Sequence, residues 1–205
     1  MSLADVHTQV SRLINRGSTF DSQIPSFVKQ AARFIERNYT LKYMERVTPI
    51  FIAEGESEFY YNEGKIKSIE FIRLDLDSGE YIFLKKGDPE DFEISKIGRP
   101  SAYWLEDETS RLVLDRTADL DYNGTMFAAK FTSWPTDDSK TPWLVENAEE
   151  ILIARAVFYM APLIRNPQLG AWQSQIWNEG IMTLLNSDQE LRTKDGSHIM
   201  KQYVG

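Results

Sequence analysis

The stretch that most restricts what this chain can fold into runs from Pro142 to Ile164, PWLVENAEEILIARAVFYMAPLI. From Ile151 onward it is apolar on nearly every face of a helical wheel, through Ile153, Ala154, Ala156, Val157, Phe158, Met160, Ala161 and Leu163. A helix without a polar face must be covered on all sides, so the rest of the chain, or another subunit, has to surround it. Its start carries helix signals: Thr141 as N-cap, Pro142 at the first helical position, and Glu146, Glu149 and Glu150 at the positive end of the dipole. The stretch is too short and too charged to span a membrane. Arg155 alone interrupts its apolar run. Two readings of Arg155 stand side by side: it carries its charge past the helix surface to solvent, or it pairs with a carboxylate at a subunit junction.

Amphipathic helices flank this spine. Ser2 and Asp5 form a possible capping box, followed at helical spacing by Leu3, Val6, Val10, Leu13 and Ile14, with Gly17 as the residue that ends the helix. A second helix spans Ile24 to Asn38, with Pro25 tolerated in its first turn. Phe27, Ala31, Phe34, Ile35 and Tyr39 form its apolar face, and Lys29, Arg33, Glu36 and Arg37 the polar one. After the spine, Asn166-Pro167 opens a last helix in which Leu169, Trp172, Ile176, Trp177, Gly180, Ile181 and Leu184 share one broad face. A glycine inside that face costs about 1 kcal/mol against alanine, so Gly180 predicts close packing. The pattern stops at Asp195-Gly196, and SHIMKQYVG follows with no period.

Between Leu41 and Ser133 the period changes from 3.6 to two, and turn residues recur. The candidate strands are Val47 to Ala53, Ser57 to Tyr61, Ile66 to Leu76, Tyr81 to Lys85, Asp91 to Ser95, Ala102 to Leu105, Arg111 to Asp115 and Thr125 to Thr132. Within Ile66 to Leu76 the alternation slips, which predicts a bulge. The fold class is therefore α+β: a bundle of about four helices with an inserted antiparallel β module and an extended C-terminal tail. The expected division is residues 1–40 with 141–194 as helical core, 41–133 as β module and 195–205 as tail.

Composition narrows the function. A net charge of −8 argues against a protein that grips nucleic acid by its phosphates. With no cysteine there is no thiol catalysis, thiolate metal site or disulfide. The two histidines, His7 and His198, lie near the termini and offer no nucleophile–base arrangement. No phosphate-binding loop or dinucleotide fingerprint is present. No basic, apolar, cleavable segment opens the chain, so it is expected to be neither exported nor anchored. Asp119-Leu-Asp121-Tyr-Asn123-Gly124 matches half of an EF-hand loop, but position twelve is Lys130 instead of a bidentate glutamate. Its flanks read as strands, so a hairpin turn is expected there. Glu146 and Glu150 lie one turn apart without the Glu-x-x-His pairs of di-metal bundles. No catalytic, cofactor or metal residue is assigned, and no cofactor is expected.

Three segments, residues 21–39, 98–116 and 142–186, carry a family likeness. Ile24-Pro25-Ser26-Phe27 opens the second helix, Gly98-Arg99-Pro100 leads into a late strand, Trp143-Leu144-Val145-Glu146-Asn147 runs into the spine, and Trp172 stands in the helix that follows. In this order the chain resembles the head-to-tail adaptor (connector) proteins of tailed phages. The resemblance implies a non-enzymatic virion protein at the head–tail junction, present in the host cytoplasm during assembly. It implies a dodecameric homo-oligomeric ring under the portal protein, receiving a tail or nozzle protein, with DNA passing through the lumen without sequence-specific binding and no membrane contact. On that reading Arg155, with Glu146, Glu150 and Phe158, belongs to the subunit interface. Ile199, Met200, Lys201, Tyr203 and Val204 reach the portal, and Asn62, Glu63, Gly64 and Lys65 contact the tail. The competing readings are a monomeric binding module or assembly chaperone, and a divalent-metal-binding enzyme.

Overall fold

The computed structural model describes residues 2–61, 65–106, 111–135 and 137–196. These divide into two compact units, a helical one built from Met1–Tyr43 with Trp134–Gly205, and a sheet unit, Met44–Ser133.

In the helical unit, α1 (Leu3–Ile14) starts with the expected capping box: the Ser2 hydroxyl accepts the Asp5 N–H, and the Asp5 carboxylate accepts the Ser2 N–H. Two more first-turn donors are satisfied from outside the helix, Leu3 N–H by the Lys140 carbonyl and Ala4 N–H by that of Asp138, each at 3.1 Å. The helix ends two residues earlier than Gly17 predicts, with Asn15 in the left-handed conformation (φ 46°). Helix α2 (Ile24–Asn38) buries Ile24, Val28, Ala31, Ala32 and Ile35. It also buries Glu36, contrary to its assignment to the polar face. Glu36 is held there by Arg33 at 3.2 Å and by the Tyr43 hydroxyl at 3.2 Å.

The spine is not one helix. It divides into α3 (Trp143–Asn147) and α4 (Glu149–Met160) at Ala148, whose backbone (φ −146°, ψ 31°) is not helical. Pro142, and not Thr141, is the N-cap residue, and it gives no side-chain cap. Where a bundle of about four helices was expected, the described residues form five, counting the short α3. Helix α4 packs against α1, α2 and α5 (Pro167–Gly196), burying Ile151, Leu152, Ile153, Ala154, Ala156, Val157 and Met160. The sequence requirement that it be enclosed is met on most of its circumference. Arg16 donates to the Ile164 carbonyl at 3.0 Å, closing the turn after α4.

Asn166 opens α5 by accepting the Leu169 N–H at 3.1 Å. Its buried stripe is Gly170, Gln173, Trp177, Ile181, Leu184 and Asp188, and Trp172 is 54% exposed instead of sharing that face. Gly180 sits directly against Ile151 of α4, the close packing its sequence context predicted. Farther along, the buried Asp188 carboxylate accepts the Lys42 N–H at 2.7 Å and is bonded by Arg192, which also reaches the Thr40 carbonyl. Asp188 and Arg192 thereby tie the chain leaving α2 to the last helix.

Among the described residues the sheet unit contains seven strands: β1 (Glu45–Ile52), β2 (Glu58–Tyr60), β3 (Ile66–Asp75), β4 (Tyr81–Lys86), β5 (Ala102–Glu106), β6 (Arg111–Leu114) and β7 (Tyr122–Lys130). Their order is β1-β7-β3-β4-β5-β6-β2, in a curled sheet. One face closes on a core that includes Ile52, Ile72, Leu74, Leu112, Leu114 and Met126. The other carries an aromatic run in which Phe71 stacks on Phe127 at 5.5 Å and meets the edge of Phe83 at 5.6 Å. The expected bulge is present in β3, with register shifts at Ile66/Ser68 and Ile69/Phe71.

The sheet is mixed, because β4 and β5 pair in parallel. A parallel pair needs a crossover connection of about a dozen residues, and residues 87–101 supply it. For that reason Asp91 to Ser95 is not a strand: Pro89–Asp91 is a 3-10 turn capped by Asp88, and Lys96 N–H returns to the Glu93 carbonyl. Asn123-Gly124 is not a turn either. It lies inside β7, paired on both sides, where a Gly124 Cβ would collide with the Arg73 carbonyl of β3. The two edges are β1, which contains Pro49, and the three-residue β2.

Candidate functional site

The spacing of Arg155, Phe158 and Tyr159, at i, i+3 and i+4, puts them on one stripe of α4. This is the stripe that α1, α2 and α5 leave least covered: all three residues are half-buried, and Pro162 and Leu163 just beyond are exposed. The Arg155 guanidinium lies 3.8 Å from the Phe34 ring centroid of α2, 4.8 Å from Tyr159, 4.9 Å from Trp177 of α5 and 5.1 Å from Phe158. The rings support one another edge-on, Phe34 with Trp177 at 5.7 Å and with Tyr159 at 6.4 Å. A guanidinium over several ring faces is held by their quadrupoles, but rings accept no strong hydrogen bond. The Arg155 Nε is buried and has no hydrogen-bond partner among the described residues. No carboxylate of the described residues pairs with Arg155.

The acidic side is found at the kink. Glu146 and Glu150 are exposed and Glu149 is half-buried, and none of the three has an ion-pair or hydrogen-bond partner among the described residues. Of the four predicted interface residues, the structure brings together Arg155 and Phe158 and leaves both glutamates apart from them. Phe34, Tyr159 and Trp177 complete the site. Their joint signal in the sequence was aromatic residues on three helices whose apolar faces converge.

Residues 1–198 match the model of the SU10 adaptor protein family. The chain belongs to that family. A search of curated proteins found no match. The family is one of phage adaptors, so this adaptor is a structural component of a tailed-phage virion, and the resemblance drawn from its three segments is correct.

One of those segments has a clear structural role in the adaptor. Gly98 N–H bonds the Thr117 carbonyl at 2.9 Å, and Pro100 is buried just before β5. The next residue, Ser101, binds the Asp115 carboxylate through its backbone N–H (2.8 Å) and its hydroxyl (2.7 Å), and Ala102 N–H adds a third bond at 3.0 Å. Burial alone would raise the Asp115 pKa, but these donors, with Arg116, hold it below the ordinary value.

The half EF-hand pattern is absorbed by structure. Asp119 accepts the Tyr122 hydroxyl at 2.6 Å, and Asp121 accepts the Glu54 N–H at 2.8 Å. Burial, then the bond to Asp119, pushes the Tyr122 pKa up to about 12. Both aspartates, with Asp75, Asp77 and Arg99, line a cleft of about 460 Å³. Among the described residues no group of His, Cys, Asp and Glu is arranged to hold a metal ion, and no helix is long and apolar enough to cross a membrane. Of the predicted tail-contacting residues, Lys65 is exposed and its carbonyl accepts the Phe131 N–H at 3.0 Å. Asn62, Glu63 and Gly64 lie outside the described residues, as do Ile199, Met200, Lys201, Tyr203 and Val204.

Proposed function

We propose that this adaptor forms a dodecameric ring at the head–tail junction, bound to the portal protein and receiving a tail or nozzle protein, and that its lumen extends the DNA channel. The observation that carries this reading is membership, along residues 1–198, in a family of phage adaptors. The partly open aromatic stripe of α4, on a helix whose other apolar residues are buried, supports lateral packing between copies. The net charge of −8 suits a conduit, since a basic lumen would retain phosphates and slow passage.

Within this reading the helical unit is the adaptor core and carries the subunit interface. Residues Asn62 to Lys65 contact the tail, and the segment from Ser197 to Gly205 docks on the portal after the subunit is made in the host cytoplasm. Light scattering on the size-fractionated protein, alone and mixed with purified portal, tests the assembly. A ring-sized species in either sample is expected, and a monomer in both ends the proposal. Truncation after Gly196 is expected to abolish co-sedimentation with portal while leaving the helical content unchanged. Undiminished portal binding would remove the tail from the contact.

A further inference from the structure

We infer that Arg155 is completed by Glu150 of a second copy of this chain, in a head-to-tail contact between helical units; this deepens, and rests on, the ring reading. Arg155 is a buried-Nε guanidinium with four aromatic neighbours and no carboxylate among the described residues. Glu150 is an exposed carboxylate with no cation beside it among the described residues. Each lacks what the other offers, yet the two cannot meet within one copy. They are five positions apart on α4, and helix geometry places them about 140° apart around the axis and about 7.5 Å along it. Side chains on nearly opposite sides of one helix can pair only between molecules.

That same opposition sets the symmetry. An isologous contact uses one patch on both partners, whereas joining one side of α4 to the other side in the next copy is heterologous and propagates into a ring or filament. The cationic side also presents apolar surface for a neighbouring helix to cover. Phe158 and Tyr159 stay half-open beside Arg155, although every other apolar side chain of α4 is buried. A carboxylate arriving there is desolvated as the rings are covered, and a guanidinium in a planar, stacked setting is the cation best suited to receive it.

Charge reversal with mixing tests this directly. Arg155→Glu and Glu150→Lys each place like charges across every contact, and each alone should raise the concentration needed for assembly by about a hundredfold. An equimolar mixture restores both pairings when the two variants alternate, so assembly should return to near the wild-type threshold. Glu150 is exposed, so its variant keeps the fold even if a glutamate among the aromatic rings does not; circular dichroism establishes which variants are folded. Wild-type protein that assembles while folded Glu150→Lys assembles equally well overturns the pairing alone. Failure of the mixture, with both variants folded, also overturns it. A wild type that stays monomeric, alone and with portal, overturns the ring reading and this pairing with it.

Discussion

Gly180 of α5 faces the branch methyl of Ile151 in α4 with no room for a Cβ between them. Helices α4 and α5 approach one another at this point, and the missing side chain permits it. Gly180→Ala gains about 1 kcal/mol of helix propensity, but overpacking a filled contact costs about 1–3 kcal/mol. The expected net effect is destabilisation of up to about 2 kcal/mol in urea unfolding. Ile151→Leu in the same background removes the branch methyl and should recover part of the loss.

The Asp188 carboxylate, buried and bonded to Lys42 N–H and Arg192, is expected to be the most sensitive polar position of α5. Asp188→Ala removes an acceptor from two donors, at about 2 kcal/mol. Hydrogen exchange at Lys42 should accelerate in the variant, and an unchanged rate would show that another group holds that segment.

His7 links acidity to the same unit. Its Nδ1 lies 3.6 Å from Asp138, and its Nε2 is buried without a partner among the described residues. Burial lowers the His7 pKa below its ordinary value, with Asp138 opposing. The folded state therefore favours neutral imidazole. This contribution to stability is complete above about pH 6.5 and is lost as pH falls through the lower folded-state value. The urea midpoint should drop between about pH 7.5 and about pH 5, and His7→Gln should flatten that part of the profile. A midpoint rising toward acid would mean that Asp138 outweighs burial.

Gly124→Ala tests the centre of the sheet. A Cβ there would meet the Arg73 carbonyl, and Leu74 Cδ2 at 2.9 Å, so β3 and β7 must separate to admit it. The expected loss is about 2–3 kcal/mol, with the sheet unit affected first. Proteolysis should then cut within residues 44–133 before it cuts α4.

What the sequence made legible was local or periodic. The Ser2–Asp5 box, the Asn166 cap, the β3 bulge and the close approach at Gly180 all follow from residue chemistry at fixed spacing. The misread features depend on distant partners. Asn123-Gly124 is a strong hairpin signal, but β7 pairs with both β1 and β3, and that long-range pairing overrides the dipeptide. Nothing local marks the break at Ala148, since alanine is the best helix former. Trp172 fell on a broad apolar arc of the wheel, but only a narrow stripe through Trp177, Ile181 and Leu184 is buried. At the candidate site, the isolation of Arg155 in its helix was visible. Its cage was not, because Phe34 and Trp177 come from helices far apart in the chain.

The edges of the sheet have a consequence for the proposed ring, which would crowd copies of this chain together. Unpaired strand edges are templates for runaway strand addition, and the hazard grows with local concentration. Here one edge, β1, has Pro49 at its middle, which supplies no N–H to an incoming strand, with Arg46 exposed nearby. The other, β2, is three residues long, and its Glu58 is engaged by Arg111 at 2.8 Å. Both ends of the sheet are thus poor templates for strand addition, so that in the proposed ring crowding would favour helix packing over fusion of the sheets.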